Sequence, residues 1–250
     1  MKLYNITFSP TGGTQKVADI IADTWNCEKV NCDLLSPAAS LPAITAEDLC
    51  ILSVPSFGGR VPDAAVNKIK ELQGNQAKTI LVAVYGNRAF EDTLLELKDT
   101  AESVGFHCVA AIAAIAEHSI FRQFASGRPN ADDKKELQDF ATQIKDKLDT
   151  LSSVTVPGNH PYREYNGVPL KPKANRKCTN CKLCAKACPV GAISTENPKL
   201  TDKEKCISCM HCISVCPANA RGNSKLLLAF AGNAMKKKCS EYLHNELFIS

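Results

Sequence analysis

Leu3-Tyr-Asn-Ile-Thr-Phe-Ser9-Pro10-Thr11-Gly12-Gly13-Thr14 is the stretch that decides how the first part of this chain folds. Residues 3–8 read as a short strand that runs straight into a turn of hydroxyl and glycine residues. Val17, Ile20, Ile21 and Trp25 then recur at helical spacing. Strand, Gly/Thr-rich turn, helix is the opening unit, and the pattern repeats. Residues 48–54, 78–85 and 107–115 are unbroken apolar runs, as expected of parallel strands covered on both faces. A weaker strand falls near 28–33. Helical patterns lie at about 62–73 and 89–104, the second closed by Gly105. A last helix opens at Asn130, with Asp132 and Asp133 in its first turn and Leu137, Phe140, Ile144, Leu148 and Leu151 on its apolar face. Strands alternating with helices predict an α/β domain built on a doubly wound parallel sheet.

In such sheets ligands sit beyond the carboxyl ends of the strands. Three loops of small residues follow strand ends, at 9–14, 55–61 and 86–90. The first places hydroxyls and backbone N–H groups at a helix N-terminus, a nest that holds a phosphate without a lysine. A plain βα turn with an N-cap threonine has the same composition. The turn is neither G-x-x-x-x-G-K-[ST] nor G-x-G-x-x-G, which disfavours a Walker-type NTPase and a Rossmann dinucleotide site.

Farther along, eight of the thirteen cysteines fall into two copies of one spacing. Cys178, Cys181, Cys184 and Cys188 precede Pro189; Cys206, Cys209, Cys212 and Cys216 precede Pro217. Three thiolates at intervals of three wrap three corners of an iron–sulfur cube, and the fourth, followed by proline, reaches the other cube. This pattern assigns Cys178, Cys181, Cys184 and Cys216 to one [4Fe–4S] cluster and Cys206, Cys209, Cys212 and Cys188 to the other. Paired C-x2-C hooks also hold zinc, but zinc needs only four ligands and has no use for the third cysteine or the Cys-Pro ending. His211, between two ligands, reads as a neighbour and not as an iron ligand. So small a module has little core, so cluster assembly and folding are expected to be coupled.

The turn Ser9-Pro-Thr11-Gly12-Gly13-Thr14 resembles the phosphate loop of flavodoxins, [ST]-x-T-G-x-T. Residues 48–62 resemble the second flavin-contacting loop and Tyr85-Gly86-Asn87-Arg88 the third. With the cysteine tail, the chain is similar to the flavodoxin–ferredoxin fusion proteins of anaerobic bacteria. That resemblance implies a flavodoxin-like sheet of order 2-1-3-4-5 followed by a small α+β ferredoxin-like domain. It further implies FMN held by Ser9, Thr11, Gly12, Gly13 and Thr14 at its phosphate. Pro55, Ser56, Phe57, Gly58, Gly59, Tyr85, Gly86 and Asn87 would flank its ring. Pro10 departs from the usual loop and removes one N–H donor, and Phe57, Tyr85 and Phe90 compete as stacking aromatics.

The expected organisation is a flavodoxin-like domain over 1–151, a linker over 152–170 rich in proline and glycine, a ferredoxin domain over 171–225, and a helical tail over 226–250. Lys177, Lys182 and Lys186 form a positive collar around the first cluster. A net charge of +4 is too mild to argue for nucleic acid. Five leftover cysteines, Cys27, Cys32, Cys50, Cys108 and Cys239, make no even disulfide framework and point to reduced thiols in a cytoplasm. There is no signal-peptide pattern and no apolar stretch of membrane-spanning length.

Three functions fit these residues. The first is an electron carrier that relays between FMN and two [4Fe–4S] clusters and exchanges electrons with partner proteins. The second is a flavin-dependent reductase of a small substrate fed by the clusters, with His118 in the polar stretch 117–128 as proton donor. The third is a flavin-free docking module fused to a ferredoxin.

Overall fold

The computed structural model describes residues 1–36 and 43–250. The opening unit forms as its pattern requires: β1 (Leu3–Thr7) leads through the Gly12 turn into α1 (Gly13–Ala22). β2 (Lys29–Asp33), β3 (Leu49–Pro55), α2 (Asp63–Ile69), β4 (Lys78–Tyr85), α3 (Thr93–Ser103), β5 (His107–Ile115) and α4 (Ala131–Lys147) follow. The first five strands are parallel, in the order β2-β1-β3-β4-β5. This is the flavodoxin-like order, and its reversal point lies at β1 and β3.

The unbroken apolar runs are explained by the layers. Successive side chains point to opposite faces of the sheet, and both faces are dry. On one face, Leu3, Leu49, Ile51 and Val82 pack with Val17 and Ile21 of α1 and Leu137 and Ile144 of α4. On the other, Ile6, Leu52, Leu81 and Ala83 meet Ala65 and Ile69 of α2 and Leu94 and Leu97 of α3. Each buried Leu, Ile or Val among these contributes about 1.5–3 kcal/mol through burial. Gly105 takes φ +88° just past α3, the left-handed turn that ends a helix. Asn130 caps α4: its side chain accepts from the N–H groups of Asp132 and Asp133, and Asp133 reaches back to the Asn130 N–H.

Residues 152–170 are extended and held by hydrogen bonds. The buried Asp92 carboxylate accepts from the N–H groups of Asn159 (2.9 Å) and Arg163 (2.7 Å), and Arg60 lies over the Tyr162 ring. The cysteine module carries β6 (Lys173–Ala174), α5 (Leu183–Lys186), α6 (His211–Ser214) and β7 (Arg221–Gly222), with β6 and β7 antiparallel.

The tail departs from the all-helical expectation. α7 (Lys225–Cys239) packs through Leu228, Ala231 and Met235 on Phe121, Phe124 and Leu170. After it, β8 (Glu246–Ile249) adds to the sheet antiparallel to β5. Leu247 and Ile249 join one core layer and Phe248 the other, so the alternation of a strand places apolar side chains on both sides. β8 thereby covers the open edge of β5. No helix among the described residues is long and apolar enough to cross a membrane.

Candidate redox site

The two cysteine runs fold as copies of one unit. Asn180 and Ser208, two residues after Cys178 and Cys206, have φ of 62° and 58°. Lys182 and Met210, at matching positions, have φ of 63° and 64° and lead into α5 and α6. These left-handed residues turn the chain tightly between cysteines spaced by three. After each last cysteine the copy continues: the N–H of Ala192 donates to Sγ of Cys188, and that of Ala220 to Sγ of Cys216, both at 3.3 Å.

The thiols that act electrostatically on Cys209 are those of Cys212, Cys188 and Cys206. Cys188 of the first run is thus near enough to the second run to act on Cys209. Burial pushes the Cys209 thiol up to about 12 and the Cys212 thiol up to about 11. Ligand cysteines act as thiolates, so buried thiols of this kind suit a site whose iron–sulfur group compensates their charge. In the first set Cys184 is buried, Cys178 half-buried and Cys181 exposed. Arg221, itself buried, donates to Sγ of Cys184 at 3.7 Å and to the carbonyl of Pro198 at 2.7 Å. Among the described residues no three His, Cys, Asp or Glu side chains are drawn close enough to share one metal ion.

Beyond the carboxyl ends of β3 and β4 lies a cavity of about 320 Å³, within the size range of small-ligand sites. Ser56, Phe57 and Gly58 form one wall, Tyr85 and Gly86 another, and His118 to Phe121 a third. Gly58 has φ +63°, and a Cβ there would lie 2.3 Å from the Tyr165 ring, so only glycine admits this approach. A Cβ on Gly86 would lie 2.7 Å from His118. Arg88, Arg163 and Lys238 reach the cavity as cations, the first two paired with Glu91. Ser208, from the loop of the second cysteine set, also lines it. Of the two cysteine loops, only the second contributes a lining residue.

His118 lines the cavity with its Nδ1 engaged. Its Nδ1 accepts from the N–H of Ile120 (3.1 Å) and of Phe121 (3.3 Å). Burial, helped by the Arg88 charge, lowers its pKa to about 4. At neutral pH it is uncharged, with its one ring proton on Nε2. Tyr85 is likewise neutral, burial raising it to about 12.

Of the other residues expected at a flavin, Ser9, Thr11, Gly12, Gly13 and Thr14 sit at the start of α1. The Ser9 hydroxyl accepts from the Gln15 N–H at 2.8 Å, and Gly12 has φ +86° with open space around a Cβ position. The first N–H groups of α1 have no partner within the helix, which suits an anion. The Pro10 carbonyl accepts from His211 Nδ1 at 2.7 Å and from the Ser214 hydroxyl at 2.9 Å. Pro55 ends β3, and Gly59 sits in the turn closed by Phe57 and Arg60. Asn87 turns elsewhere: its amide donates to the carbonyls of Cys239 (2.8 Å) and Glu241 (2.7 Å). Arg163, Tyr165, Met235 and Lys238 at the cavity were not singled out from sequence, because their placement depends on where the linker and α7 return.

Residues 177–220 match the family described as 4Fe-4S dicluster domain. No curated protein matches the chain. Among solved structures, Streptococcus pneumonia TIGR4 flavodoxin is 17% identical, covering 59% of this chain and 99% of its own, with a TM-score of 0.42. Flavodoxin 1 from Bacillus cereus is 17% identical, covering 58% and 98%, with a TM-score of 0.41. Likenesses this weak add nothing to the fold, which rests on the strand order and connections. Taken together, the sheet order and the matched cysteine module show what this chain joins: a flavodoxin-like fold and, over residues 177–220, a 4Fe-4S dicluster domain, the two parts of an electron-transfer protein.

Proposed function

We propose that this chain relays electrons between two [4Fe–4S] clusters and an FMN in the cavity. The observation that carries the reading is Ser208, which belongs to the loop of the second cysteine set and also lines the cavity beyond β3 and β4. When bound, the clusters supply one-electron transfer and the flavin one- or two-electron transfer. The chain's own residues do the rest. Cys178, Cys181, Cys184 and Cys216 are assigned to one cluster, and Cys206, Cys209, Cys212 and Cys188 to the other. The α1 N-terminus at Gly12 to Thr14 takes the phosphate; Phe57, Gly58, Tyr85 and Gly86 bound the ring; Tyr165 covers it from the linker. Arg88, Arg163 and Lys238 favour negative charge there.

The reductase reading would need His118 to act as a neutral donor from Nε2, since its Nδ1 is engaged. Cofactor stoichiometry of the chain purified without air tests the proposal: about eight irons and one FMN per chain are expected. Cys188→Ser is expected to halve the iron while Cys239→Ser keeps it. Eight irons without flavin leave the docking module instead, and fewer than four irons with zinc overturn the cluster assignment.

A further inference from the structure

The cysteine module presents one surface twice, and only one copy is covered. In the second half α6 turns toward the sheet domain: Met210 is 3% exposed, and His211 and Ser214 hold the Pro10 carbonyl. Ile207 packs against the core of the sheet. By the module's own repeat, the positions of Met210, His211 and Ser214 are taken in the first half by Lys182, Leu183 and Lys186. All three are exposed, Leu183 at 46%.

The two copies also differ in charge. From Lys173 to Lys186 there is no Asp or Glu, and Arg176, Lys177, Lys182 and Lys186 are all exposed. The second half mixes Lys203 and Lys205 with Asp202 and Glu204 just before its first ligand. A single exposed cation contributes little, but four of one sign around a half-exposed leucine create a field that steers and orients an oppositely charged protein.

We propose that this uncovered copy, with Leu183 at its centre and Arg176, Lys177, Lys182 and Lys186 around it, docks an acidic one-electron carrier protein over Cys181. The inference rests on the reading that Cys178, Cys181, Cys184 and Cys216 hold a cluster. Cys181 is exposed, so this set reaches solvent at one ligand, while the loop of the other set lends Ser208 to the cavity. The carrier and the first cluster exchange one electron, one partner being oxidised as the other is reduced. The fold thus uses one face of the module internally and its repeat externally.

The test uses the full cluster-loaded chain and an acidic two-cluster bacterial ferredoxin as probe, with the dissociation constant read by fluorescence. Binding is expected at low ionic strength and to vanish near 1 M salt, where the screening length falls to about 3 Å. Arg176→Glu, Lys177→Glu, Lys182→Glu and Lys186→Glu combined are expected to weaken binding at least about tenfold. The control, Lys203→Glu with Lys205→Glu, is expected to stay within about twofold. Equal loss from both reversals, or no loss from the first, overturns the proposal. So does a single-stranded DNA oligomer that binds the same four residues more tightly than the ferredoxin does. Iron is counted on every variant: a wild-type chain without iron overturns the cluster reading. Lost selectivity between the reversals at full iron overturns the docking surface alone.

Discussion

His211 donates a hydrogen bond from Nδ1 to the carbonyl oxygen of Pro10 at 2.7 Å, joining α6 of the cysteine module to the turn that opens α1. A carbonyl can only accept, so the ring proton must sit on Nδ1. The same oxygen takes a second bond from Ser214 at 2.9 Å. The module is thus held on the loop that the sequence marks for a phosphate, and Ser208 of its second cysteine loop lines the cavity.

If these bonds hold the two parts together, His211→Ala with Ser214→Ala costs about 1–2 kcal/mol in urea unfolding of the full chain. Amide exchange at Gly12 to Gln15 should rise with it. Unchanged exchange at those amides would show that the contact does not order the loop.

Asn245, 5% exposed, ties the tail to the sheet: its Oδ1 accepts from the Ile115 N–H at 2.8 Å, and its Nδ2 donates to Glu136 at 2.5 Å. Asn245→Ala leaves a buried N–H at the end of β5 without a partner, at a cost of about 1–3 kcal/mol. Thermal unfolding at neutral pH reads this directly; a shift no larger than that of an exposed substitution would contradict the role.

His118 makes stability depend on pH in a defined window. Burial lowers its pKa from 6.5 to about 4, so the fold disfavours the protonated ring. Above pH 6.5 folded and unfolded chains both hold it neutral and it has no effect. As pH falls from 6.5 toward 4 the unfolded chain binds a proton that the folded chain does not. Stability then falls by up to about 1.4 kcal/mol per pH unit. His118→Gln should flatten that limb of the denaturation curve, and an unchanged slope would show that another group carries it.

Gly86 faces His118 across the cavity with room only for a hydrogen, a Cβ there lying 2.7 Å from the ring and its Cβ. Gly86→Ala should weaken FMN uptake by the cluster-loaded, flavin-stripped chain about tenfold, corresponding to about 1.4 kcal/mol. Adding His118→Ala should restore part of it. Flavin fluorescence quenching measures both, and full-strength uptake by Gly86→Ala would place the ring elsewhere.

The sheet was legible because its code is local. Ile51, Val82 and Ile112 sit in apolar runs that do not alternate, as a strand covered on both faces requires. The cysteine spacing is equally local, since two left-handed residues recur at matching positions in each copy. What escaped reading depends on distant partners. Glu246 to Ile249 is too short for its period to stand out, and it becomes a strand because β5 offers an open edge. Asn87 sits in a loop of flavin-contacting composition, yet the returning tail takes its amide through Cys239 and Glu241. Tyr165 meets Gly58 only because Asp92 pins the linker beside it. The orientation of the module left one trace, the exchange of Lys182, Leu183 and Lys186 for Met210, His211 and Ser214. That trace gains meaning only once Pro10 is seen beside the second triplet.

Counting electrons tests the relay most directly. Stoichiometric reduction of the holo chain without air, followed by absorbance and by electron paramagnetic resonance of the clusters, should consume about four electrons per chain. Two of these belong to the flavin and one to each cluster. Uptake of about two electrons with cluster signals alone would contradict the account and leave a ferredoxin on a flavin-free flavodoxin-like fold.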